Sequence, residues 1–68
     1  MNYTIELERE TDGRWIADVI NLPGVMAYGS TREEAISKAQ ALALRVEADK
    51  LENGERSFFE TGIVFKAA

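Results

Sequence analysis

The side chains best placed to do chemistry in this chain are carboxylates. Glu6 and Glu8 alternate within "TIELERE" and Asp18 sits in "WIADV", so two neighbouring strands would bring three carboxylates to one face. Clustered oxygens are what a hard cation such as Mg²⁺ requires, and Mg²⁺ held there would support phosphoryl chemistry. Acids on an exposed strand face are more commonly solubility devices, and that reading is preferred for all three as metal ligands. A second stretch, from Gly24 to Thr31, has the spacing of the phosphate loop G-x-x-x-x-G-K-[ST], but Ser30 stands where the lysine must neutralise the phosphates. The intervening Val-Met-Ala-Tyr reads as a strand, not as a loop that wraps backbone amides around an anion. The chain has no His and no Cys, which removes imidazole bases, thiolates and soft metal sites. Ser30, Ser37 and Ser57 then have no histidine base to activate them. No catalytic residue, metal ligand or cofactor is assigned, and the expectation is a protein that is not an enzyme.

The elements that carry these residues are strongly punctuated. Tyr3, Ile5 and Leu7 alternate with Thr4, Glu6 and Glu8, the period of a half-buried strand. Asp12-Gly13 supplies a turn, and a second strand over 14–19 puts Trp15, Ala17 and Val19 on one face with Ile16 and Asp18 on the other. Trp15 is the expected core anchor. Pro23-Gly24 ends that strand, and a short third one follows over 25–28. In "GSTREEA" two capping boxes overlap, Ser30 with Glu33 and Thr31 with Glu34, and predict a helix. Its apolar face comprises Ala35, Ile36, Ala39, Leu42, Ala43, Val46 and Lys50, within about a third of the circumference. Leu44 and Leu51 miss that face, on a flank shared with Gln40 and Glu47, and read either as scattered exposed leucines or as a self-association seam. The helix should stop near Asn53-Gly54. A last strand is expected near 58–66, with Phe59, Thr61, Ile63 and Phe65 on one side and Val64 opposite.

Three strands, a helix and a returning strand give an α+β unit, β-β-β-α-β. A right-handed crossover makes strand four parallel to strand one, for a mixed four-stranded sheet in order 3-2-1-4 with one helix on one face. The other face, carrying Thr4, Glu6, Glu8, Ile16, Asp18 and Val64, has no cover of its own.

Composition narrows the function. A 68-residue chain is one domain with a thin core, which favours self-association. Twelve acidic against eight basic residues give a net charge of −4, the wrong sign for gripping phosphates and the right one for a basic partner protein. The basic residues are scattered and the aromatics fall mostly at core-facing positions, so direct nucleic-acid binding is not expected. The N-terminus lacks the apolar core of a secretory signal, and no apolar run approaches the ~20 residues of a membrane span. With no cysteine to suggest an oxidising compartment, the expected location is cytoplasmic.

The combination of a "DGRWIADV" hairpin, "NLPGV" and "YGSTREEAISKAQ" opening a helix resembles the N-terminal domain of HicB-family antitoxins. The matching residues are Gly13, Trp15, Ala17, Leu22, Pro23, Gly24, Gly29, Thr31, Glu34 and Ala35, over about residues 3–50. The resemblance implies a partial ribonuclease-H-like fold without that fold's catalytic acids. It also implies a toxin-antitoxin role, binding and blocking a small basic HicA-like RNA-cleaving toxin. Many HicB proteins carry a C-terminal DNA-binding segment; none is read after Lys66, so residues 1–68 are expected to form a single HicB-like domain of the short, stand-alone kind. Contact with the toxin is assigned to Glu6, Glu8, Ile16 and Asp18, and self-association to Leu44 and Leu51. The alternative is a structural or regulatory oligomer of the same fold without a toxin.

Overall fold

The computed structural model describes residues 1–55 and 62–68. Its elements are β1 (Asn2–Arg9), β2 (Trp15–Val19), β3 (Met26–Gly29), α1 (Arg32–Glu52) and β4 (Val64–Ala67). The sheet order is β3-β2-β1-β4. β1 pairs antiparallel with β2, β2 antiparallel with β3, and β1 parallel with β4. The α+β topology expected from the sequence is therefore the one observed.

Local chemistry explains each corner. At Leu22-Pro23-Gly24-Val25 the Val25 N–H donates to Leu22 O at 3.1 Å, and Gly24 has φ +81. Proline supplies the fixed φ of the first central position and glycine the positive φ of the second, the requirement of a type II turn. The Val19 N–H donates to Val25 O at 2.9 Å and fixes the register in which β3 returns. At the helix start only half of one of the two overlapping boxes forms. Thr31 is the N-cap, its hydroxyl accepting from Glu34 N–H at 3.1 Å. Ser30 turns to Glu34 instead of Glu33, its N–H donating to Glu34 Oε1 at 3.2 Å. Extended φ,ψ at Thr31 (−124, 161) is what makes it the cap, since a residue inside the helix cannot aim its hydroxyl back at the first turn. The helix closes as predicted, with Gly54 at φ +71 and Glu55 N–H donating to Lys50 O at 2.8 Å.

Glu34 also receives Lys38 Nζ at 3.2 Å, and this contact, with the Ser30 N–H, holds its carboxyl below the ordinary value. Asp12 is lowered likewise, first by the Arg14 backbone N–H and also by the Arg14 guanidinium. A carboxyl whose folded pKa is depressed stabilises the fold above its ordinary pKa and loses that contribution as pH falls through the folded value. Melting temperature should therefore fall as the pH is lowered through and below the ordinary carboxyl range. Glu34→Gln should flatten that fall, as read by circular dichroism at each pH.

The core lies between the sheet and α1: Tyr3, Ile5, Ala17, Val19, Leu22, Val25, Ala35, Ala39 and Ala43. The alanine row Ala35, Ala39 and Ala43 on the helix, facing Ala17 and Val19 as well as the larger Tyr3 and Ile5, lets helix and sheet approach closely. Three expectations change. Trp15 is half-buried and packs at the margin, opposite Arg9 and Gly29 at the end of the ladder, rather than anchoring the centre. Glu47, placed on the outer flank from sequence, is 1% exposed, because Ala35, Ala39, Ala43 and Glu47 form one row at i+4 spacing. Its carboxyl accepts from the Tyr3 hydroxyl, and Lys50 Nζ lies 3.9 Å away. The fourth strand begins at Val64, with Gly62 and Ile63 outside it. The earlier part of the expected strand, with Phe58, Phe59 and Thr61, lies outside the described residues, as does Ser57.

Candidate functional site

The face of the sheet away from α1 is the candidate site. β1 and β2 pair in the register Glu6↔Asp18 and Glu8↔Ile16, and β2 and β3 pair as Ile16↔Tyr28 and Asp18↔Met26. Alternation sends every one of these side chains to the same face. Two transverse rows result, Glu8-Ile16-Tyr28 and Glu6-Asp18-Met26. All four residues assigned to the contact from sequence are thus immediate neighbours. Glu6, Glu8, Ile16 and Asp18 line one open depression of about 410 Å³ together with Leu7 and Met26.

Two features of the face were missed. Met26 and Tyr28, each 43% exposed, belong to it, and Tyr28 is the one aromatic among the described residues that turns away from the core. Ile20, two residues beyond Asp18, adds a further exposed apolar side chain. The signal was available in the Leu22-to-Val25 turn. A tight turn that returns Val25 to Val19 places Met26 opposite Asp18, and parity then assigns Tyr28 as well. The Tyr28 ring is held by Arg14, whose guanidinium carbon stands 4.5 Å from the ring centroid while its Nε bonds Asp12 at 2.8 Å. At the far margin β4 contributes Val64 and Lys66, opposite Asn2 and Thr4.

Electrostatically the site is unfavourable by itself. Glu6 and Asp18 are directly opposite on adjacent strands, an arrangement that destabilises a sheet pair by roughly 0.2–1 kcal/mol. Among the described residues no group of three or more acidic, His or Cys side chains has the geometry to hold a metal ion. Chemically, the face offers acceptors for cationic groups and apolar surface beside them.

Leu44 and Leu51 lie elsewhere, on the solvent side of α1, 48% and 43% exposed. The structure does not bring them to the sheet face. None of the helices described is long and apolar enough to cross a membrane. Compared with models of protein families, with curated proteins and with solved structures, the chain matches none.

Proposed function

We propose that this protein is a non-catalytic binding module whose uncovered sheet face docks a small basic protein, of the kind represented by HicA-like RNA-cleaving toxins. The observation that carries this reading is the placing of Glu6, Glu8 and Asp18 in one depression with Ile16 and Met26. Met and Tyr, both exposed on this face, are residue types enriched at protein interfaces. Opposite potentials speed encounter and fix orientation, so an acidic module of net charge −4 suits a cationic RNA-cleaving partner. The resemblance to HicB-family antitoxins supports the same assignment, and the cytoplasm is the compartment it implies.

The partner is to be recovered by tagged pull-down at moderate salt and identified by mass spectrometry as a small basic protein. Glu6→Lys with Asp18→Lys should then slow association with that protein at least about tenfold, with the far-ultraviolet dichroism spectrum retained. Asp18→Asn should weaken binding while raising the melting temperature by a few degrees, because it relieves the Glu6 repulsion. Unchanged association in the double variant would remove this face from the interface.

A further inference from the structure

The outer surface of α1 carries a second pattern that neither the core nor the sheet face uses. Ser37, Ala41, Leu44, Ala48 and Leu51 follow one another at intervals of four, three, four and three residues. That is the spacing of a coiled-coil seam. They occupy an arc of about 80° centred about 140° from the row Ala35, Ala39, Ala43 and Glu47 that packs on the sheet. Except for the half-buried Ala41, all of them are exposed.

The order of large and small side chains selects how a second helix would fit. If an identical helix lies antiparallel, with Leu44 of one copy beside Ala48 of the other, then Leu51 falls beside Ala41, and each leucine meets an alanine in every layer. Each knob then has a shallow seat, and the backbones can come close. A parallel, in-register pair would instead stack leucine on leucine and alanine on alanine, leaving alternate layers crowded and empty. Charge points the same way. Lys38, Arg45 and Glu52 flank the seam on one side at seven-residue spacing. The antiparallel arrangement sets Lys38 of one copy near Glu52 of the other, twice over by symmetry, and these two attractive pairs outnumber the single repulsive one in which Arg45 faces its own equivalent at the centre.

We infer that the chain forms a two-fold dimer through antiparallel packing of α1 on α1, with Leu44 and Leu51 seated on Ala48 and Ala41 of the second copy. In this register residues 40–52 of the two helices overlap, about 20 Å of contact length. The two sheets then lie on the outside, each with its Glu6-Asp18 face turned away from the seam. Dimerisation and partner docking use separate surfaces, so the dimer stands or falls independently of the function proposed above.

Sedimentation equilibrium over a concentration series should give twice the 7.6 kDa chain mass. Leu44→Glu with Leu51→Glu should give the single-chain mass with helix content retained. Lys38→Glu alone should weaken the dimer, and Lys38→Glu combined with Glu52→Lys should restore it. Orientation is read from disulfide trapping in a chain that has no native cysteine. A mixture of Leu44→Cys and Ala48→Cys proteins should cross-link heterotypically faster than either cross-links with itself. A single-chain mass for the unaltered protein, an unchanged mass in the leucine double variant, or faster homotypic trapping of Leu44→Cys would each overturn the inference.

Discussion

Gly29→Ala is expected to lower the melting temperature by about 12 °C or more, the consequence of about 3 kcal/mol in a domain of this size. Gly29 ends β3, and the chain turns through Ser30 and Thr31 directly into α1. A Cβ at Gly29 would stand 2.5 Å from Ala35 N and 3.0 Å from both Ala35 Cα and the Glu34 carbonyl carbon. All three are backbone atoms of the first helical turn, so no rotamer change relieves the clash. Either β3 leaves β2, losing the Trp15↔Gly29 pairing, or the helix start lifts off the sheet and Thr31 loses its capping geometry. For a chain whose total stability is about 3–10 kcal/mol, this is a large fraction. Gly24→Ala provides the contrast. Nothing lies within 4 Å of a Cβ there, and only the positive φ of +81 is strained, so a loss of about 1 kcal/mol is expected. Thermal unfolding followed at 222 nm should separate the two. A melting temperature for Gly29→Ala within a few degrees of the unaltered protein would contradict the close approach of α1 to β3.

The second large effect concerns the buried pair that joins the first strand to the helix. Tyr3→Phe should cost about 1–3 kcal/mol, because the Glu47 carboxyl loses the hydroxyl that donates to it inside the core. Tyr3 lies in β1 beside β4 and Glu47 is four turns into α1, so this bond ties the sheet to the distal half of the helix. The Tyr3 and Phe65 rings, 5.6 Å apart, keep the tyrosine in place from the β4 side. Changing both partners, Tyr3→Phe with Glu47→Leu, should recover most of the loss, since no buried polar group then remains to be satisfied. Urea unfolding of the two single variants and the double variant forms a thermodynamic cycle that measures the coupling. A coupling near zero would show that the bond contributes nothing to the joining of β1 and α1.

The site was legible to different depths. Glu6, Glu8, Ile16 and Asp18 could be grouped from alternation alone, because a strand's period of two assigns a face without knowledge of its neighbours. Met26 and Tyr28 needed the register of the β2-β3 hairpin, which a single hydrogen bond across the Pro23-Gly24 turn sets. Glu47 was misplaced for a different reason. At 100° per residue it falls just outside the expected apolar face, on the flank of Leu44 and Leu51, whereas the row of Ala35, Ala39, Ala43 and Glu47 is the one that packs on the sheet and brings it to the Tyr3 hydroxyl.

By itself, then, the sequence determined the order and kind of the elements, a hydroxyl cap at Ser30 or Thr31, the turns at Gly24 and Gly54 and the 3-2-1-4 sheet. Each of these follows from local conformational preference and from the handedness of a crossover, which act over a few residues or on chirality alone. Only the tertiary structure decided that Trp15 sits at the margin, that Glu47 is buried against Tyr3, that Glu6 and Asp18 face each other and that Gly29 touches the helix backbone. These depend on register and on the distance between helix and sheet. Both are set by the packing of small side chains across the core, a property of facing surfaces rather than of any one segment.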